Sequence, residues 1–151
     1  MTDEVCLYDV IKETFLLLDF GDRRFLEQFD LTVPRYYALS HIANTPGLSP
    51  SLLSRCMFCD KSNITRLIHG LEQDDLVERR PHEQDGRVQR LYLTPAGQAR
   101  YDTVSQAHRE YVTERMTALS QPQIDQMLGR LTHLNQTLTE TLDKPELLLL
   151  N

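Results

Sequence analysis

The chain has 151 residues, of which 40% are hydrophobic, 25% charged and 7% aromatic. This suits one domain, or one domain with extensions, with enough apolar content for a core, and it excludes collagen-like, low-complexity and globally disordered chains. No apolar run reaches the roughly 18 residues of a membrane span, the clusters Phe15–Leu18 and Leu147–Leu150 being far too short.

The net charge of −6 is unevenly placed. Residues 1–50 carry 4 basic and 8 acidic side chains, and residues 101–151 carry 4 and 7. Residues 51–100 carry 8 and 7, the one stretch that is not acidic. Of the 16 basic residues 13 are arginine, whose planar fork suits phosphate and guanine. Asp3 and Glu4 stand where a secretory signal would be positive. The odd, small set Cys6, Cys56 and Cys59 does not make a disulfide framework, so the expected compartment is a reducing cytoplasm.

In chain order, the apolar spacing of Val5, Tyr8, Ile11, Phe15, Leu18 and Phe25 predicts a long helix over 5–29. Thr32 is an N-cap with Pro34 in the first turn of a helix to about Asn44. After the turn Thr45-Pro46-Gly47, Ser49 caps a short helix ending near Phe58. Asp60 is the expected cap of the next helix, which runs to about Asp74. That helix buries Ile64, Leu67, Ile68 and Leu71 and presents Lys61, Ser62, Thr65, Arg66 and His69 on its other face. Strand-like runs at 76–80 and 90–93 flank a polar loop with Gly86 at its turn, the pattern of a β-hairpin. Thr94-Pro95 opens a long helix to about Leu119. Ser120-Gln121-Pro122-Gln123 is a capping box before a last helix striped by Ile124, Leu128, Leu131, Leu134, Leu138 and Leu142.

A short helix, a tight turn, a second helix with polar residues at its start and then a hairpin make a winged helix-turn-helix. Such a second helix enters the major groove and shows its first turns to the base edges. Together, Asp60-Lys61-Ser62-Asn63-Ile64-Thr65-Arg66-Leu67-Ile68, Leu71 to Arg79, Asp85-Gly86-Arg87 and Leu91-Tyr92-Leu93-Thr94-Pro95-Ala96-Gly97 resemble the MarR family of bacterial transcription regulators. The resemblance implies a mainly α fold with a small β-hairpin wing. Residues 1–30 and 95–151 would form a helical dimerisation region around a winged helix-turn-helix domain at 31–94. It further implies a homodimer on a pseudo-palindromic double-stranded operator, usually a repressor released by a small molecule or by oxidation.

The expected DNA-binding residues are Lys61, Ser62, Asn63, Thr65, Arg66 and Arg87. Arg66 can make a bidentate contact to guanine, Asn63 can instead serve the helix N-terminus, and Asp85 can pair with or orient Arg87. Arg80, His82 and Arg90 read equally as ordinary surface. Phe15, Arg23, Tyr36, Tyr37 and Tyr111 lie on helices that in this family line a ligand crevice; aromatic residues at such spacing also serve as core. Cys56 and Cys59 have redox-motif spacing but sit at a helix end and the following turn, and a second pair of zinc ligands is missing. They read as core packing or as a thiol sensor. In the family's peroxide sensors the reactive cysteine would fall at Tyr8, not Cys6. No cofactor, metal or catalytic motif is expected. The alternatives are a redox-responsive regulator of the same fold and a winged-helix protein-interaction module.

Overall fold

The computed structural model describes residues 2–142. The Leu147–Leu150 run and the outer ends of the expected 1–30 and 95–151 segments lie outside the described residues. The order is α1 (Asp3–Glu27), α2 (Val33–Asn44), α3 (Pro50–Cys56), α4 (Lys61–Gln73), β1 (Val77–Pro81), β2 (Gln89–Leu93), α5 (Pro95–Arg115), a 3-10 turn (Met116–Ala118) and α6 (Gln121–Thr141). β1 and β2 are antiparallel, with Val77 opposite Leu93 and Pro81 opposite Gln89. Leu48 adds a bridge to Leu91, so the chain ahead of α3 lies beside the hairpin. The fold is mainly α with one hairpin, as the sequence predicts.

Several boundaries differ from the sequence reading, each for a local reason. α1 stops at Glu27 and not 29, and Asp30 follows at φ 51° while the Leu31 N–H bonds back to the Leu26 carbonyl at 3.2 Å. α3 stops at Cys56 and not Phe58 because Phe58 is left-handed at φ 49°. The Cys59 N–H then closes the turn on the Ser54 carbonyl at 3.0 Å, the usual way of satisfying a helix's last carbonyls. Asp75, at φ 56°, ends α4 in the same manner and delays β1 by one residue. Asp60 occupies the N-cap position of α4 without a side-chain capping bond. α5 gives way to the 3-10 turn before Leu119. At Ser120 the Gln123 Oε1 accepts from the backbone N–H at 2.8 Å and from Oγ at 2.9 Å.

The core is built from Leu39 and Ile42 of α2, Leu53 of α3, Ile64, Ile68 and Leu71 of α4, and Leu48 and Leu91, all at most 2% exposed. Leu26 of α1 and Val104 of α5 complete it. Where β2 turns into α5, the Thr94 hydroxyl donates to the Asp75 carbonyl and accepts from the Gly97 N–H. A Cβ on Gly97 would lie 1.9 Å from the Leu76 carbonyl oxygen.

Polar groups tie α1 to α2 and α5. The Tyr37 hydroxyl donates to Asp22 Oδ2 at 2.9 Å, and His108 Nε2 donates to Asp22 Oδ1 at 3.0 Å. His108 Nδ1 shares a hydrogen bond with the Tyr36 hydroxyl at 3.2 Å. Burial pushes the Tyr36 phenol up to about 12, and burial together with Asp22 pushes the Tyr37 phenol up as well, so both stay protonated at neutral pH.

By contrast, most of α1 and all of α6 present apolar side chains outward. Leu7, Phe15, Leu16, Leu17 and Phe20 on α1, Leu128, Leu131 and Leu138 on α6, and Leu142 just after it are exposed. No residue of α6 is buried among the described residues.

Two substitutions test this packing in denaturant melts. Gly97→Ala should cost about 3 kcal/mol, the upper end for forced overpacking, because it meets backbone. Asp22→Leu leaves the Tyr37 hydroxyl and His108 Nε2 without their acceptor and should cost roughly 1–3 kcal/mol. Wild-type midpoints for both variants would contradict the packing.

Candidate nucleic-acid interface

α4 is a one-sided helix. Its buried stripe of Ile64, Ile68 and Leu71 faces the core. Geometry then puts Lys61, Ser62, Asn63, Thr65, Arg66 and His69 outside, and all six are exposed. Arg35 of α2 fixes α4 by bonding Asp74 and the Gly70 carbonyl, the latter at 3.5 Å. Arg79 of β1 holds Glu72 at 2.9 Å.

On the exposed face the side chains are partly organised. The Arg66 guanidinium donates to Asn63 Oδ1, so Asn63 serves Arg66 and not the helix N-terminus. The Thr65 hydroxyl donates to the Lys61 carbonyl at 2.8 Å. That leaves its methyl and oxygen lone pairs to face outward, suited to a thymine methyl or a donor.

The hairpin tip is a tight turn. The Val88 N–H bonds the Asp85 carbonyl at 2.9 Å, and the His82 N–H bonds the Val88 carbonyl at 2.8 Å. Asp85 Oδ1 accepts from the backbone N–H of Arg87 at 3.1 Å. Asp85 therefore shapes the turn and does not pair with the Arg87 guanidinium, which has no carboxylate partner among the described residues. The other arginines of the hairpin are engaged. Arg80 pairs with Glu78 and lies over the Tyr92 ring at 4.5 Å, and Arg90 donates to the Gly47 carbonyl at 3.1 Å.

The expected ligand residues are only partly brought together. Tyr36 and Tyr37 meet around Asp22 and His108. Tyr111 stacks on Phe25 at 4.4 Å. Phe15 is 58% exposed and Arg23 pairs with Asp19 at 2.9 Å, outside this cluster. Sequence reading missed Asp22 and His108. Their one signal was an acid and a histidine on the apolar sides of two long helices, which reads as nothing without the third helix. Cys56 and Cys59 are free thiols at the end of α3 and in the turn before α4, both half-buried. Burial raises the Cys56 thiol, which disfavours the reactive thiolate.

Residues 29–88 match the model of the MarR family. Over 104 residues the chain is 29% identical to the HTH-type transcriptional repressor IacR of Pseudomonas putida. Over 106 residues it is 32% identical to a putative transcriptional regulatory protein for the hcr operon of Thauera aromatica. These alignments take in 69% and 70% of this chain and 62% and 64% of the relatives, so the chain spans less than two thirds of each relative's length.

Among solved structures, Streptococcus pneumoniae FabT in complex with DNA superposes at a TM-score of 0.78 with 23% identity, covering 92% of this chain and 99% of that one. The S. aureus MepR–DNA complex gives 0.77 with 20% identity, over 91% and 99%. At these identities the structural likeness shows the fold, a winged helix with long flanking helices. By the match over residues 29–88, that segment is similar to the MarR family.

Proposed function

We propose that the chain is a sequence-specific DNA-binding transcription regulator that acts as a cytoplasmic homodimer, a repressor released by a small-molecule effector. The observation that carries this reading is the exposed face of α4. Lys61, Ser62, Asn63, Thr65 and Arg66 stand opposite a fully buried stripe, beside a hairpin whose tip holds Arg87 without a carboxylate partner. A helix so presented offers donors and acceptors to major-groove edges, and the tip cation suits phosphate or a narrow A·T minor groove. The relatives named as a repressor and as a regulatory protein, and the neighbours solved with DNA, support the same reading. An interaction module would present an apolar or acidic face here, and Lys61 and Arg66 speak against it.

In this reading residues 31–94 read DNA, while 1–30 and 95–151 dimerise. The exposed leucines of α1 and α6 supply apolar surface that a partner could cover. A second copy covering them would set the two α4 helices one helical turn apart, roughly 34–36 Å. An effector would release DNA by as much as its affinity differs between the two spacings.

Selection of bound sequences from a random DNA pool tests the whole reading, and a pseudo-palindrome is expected. On the selected site Arg66→Ala should cost about 1–3 kcal/mol, with a smaller loss on non-specific DNA. Equal losses would reduce Arg66 to a phosphate contact. Arg87→Ala should lower the slope of log affinity against log salt by roughly 2, one phosphate per wing of a dimer. An unchanged slope and affinity would take the wing off the DNA. Leu131→Glu with Leu138→Glu should give monomers or unfolded protein by sedimentation, with operator binding lost. A folded monomer with normal binding to the full operator would refute dimerisation through α6.

A further inference from the structure

Arg66 lies opposite the buried stripe of Ile64, Ile68 and Leu71, in the middle of the outward face of α4. Its neighbours on the helix surface are the residues three and four away, Ser62, Asn63, His69 and Gly70. None of them is an acid, so α4 offers Arg66 no ion pair of its own to compete with a ligand. Gly70 places no side chain on one flank, and a Cβ there would meet no atom within 4 Å. On the other flank the guanidinium donates to Asn63 Oδ1. An amide in that place orients the fork without neutralising it.

The bond decides what each partner has left to show. A guanidinium only donates, so the amide turns its oxygen to Arg66 and keeps Nδ2, a donor, for the outside. An asparagine that reads adenine needs both atoms, Oδ1 for the N6 amine and Nδ2 for N7. Here Oδ1 is already taken. The Thr65 hydroxyl hydrogen is likewise spent on the Lys61 carbonyl at 2.8 Å. The Asn63–Arg66 pair therefore shows donors alone. Guanine sets two acceptors, N7 and O6, side by side in the major groove. Adenine and cytosine each set an amine there, and those amines would face the pair without an acceptor.

We infer that Asn63 is a positioning residue that aims Arg66 at a guanine in each half-site, and that Arg66 in turn withholds from Asn63 the acceptor needed to read adenine. The inference rests on the DNA-binding reading above and adds which base α4 selects. The two roles are reciprocal. Without Asn63 the fork swings freely between base and phosphate, so the guanine preference weakens while sequence-independent binding stays. Without Arg66 the Asn63 oxygen is released, and the preference at the same base pair moves to adenine.

The test remakes the site selected from the random pool with each of the four base pairs at every half-site position. Wild type, Asn63→Ala, Arg66→Ala and the double variant are titrated on these sites at one salt concentration. Both side chains are exposed, so the variants should keep the fold. At one position wild type should prefer guanine about tenfold. Asn63→Ala should cut that preference to about threefold, the loss expected when one side chain must be ordered on binding, with non-specific affinity unchanged. Arg66→Ala should prefer adenine at that position, and the double variant should prefer no base. In the DNA-free protein, NMR should show the Asn63 Nδ2 resonances moving on Arg66→Ala while the backbone signals of Ile64 and Ile68 stay in place. Unmoved Nδ2 resonances would overturn the inference. So would a guanine preference that survives Asn63→Ala in full, an Arg66→Ala protein without the switch to adenine, or a double variant that still discriminates. A pool that yields no site would overturn the regulator reading and this inference together, whereas the other failures, seen on a selected site, leave that reading standing.

Discussion

Burial of Ile64, Ile68 and Leu71 is the constraint on which the rest depends. Each is at most 1% exposed, and burying such a side chain contributes about 1.5–3 kcal/mol. Because these residues recur at helical spacing, their burial fixes the rotation of α4 about its axis. Lys61, Ser62, Thr65 and Arg66 are then held outward by side chains they never touch. Arg35 and Arg79 pin the same helix to α2 and to the hairpin. Their ion pairs are partly exposed and contribute less than the apolar stripe.

The hairpin is carried by the same core. Leu91 is wholly buried between α2 and the hairpin's own strands, and it bridges to Leu48 just ahead of α3. The direction of the wing is therefore set by the packing that sets α4. Gly97 allows the turn from β2 into α5 to pass over the Leu76 carbonyl. Arg87 and the α4 face are thus carried by one core, as the proposed two-point contact on a duplex would require.

The long helices are joined to that unit by different means. Leu26 and Val104 enter the core, but around them the connection is polar and aromatic, through Asp22, His108, Tyr36 and Tyr37, and through Phe25 against Tyr111. Hydrogen bonds are directional, so a shift of α1 against α5 would break this network where an apolar seam would slide.

Much of this was legible in the chain itself. Thr32, Ser49 and Thr94, each with a proline one or two residues on, marked three helix starts to the residue, because caps and proline act within one turn. The stripe of α4 and the flanking strands located the winged unit, because amphipathic spacing is a local property. Helix ends were less legible. Asp30, Phe58 and Asp75 adopt positive φ without being glycine, so no residue type announced the stop. The Asn63–Arg66 bond and the release of Arg87 from Asp85 depend on rotamers that the local sequence leaves open. Asp22 and His108 lie 86 residues apart in the chain. Only the packing of α1 against α5 brings them within hydrogen-bond distance.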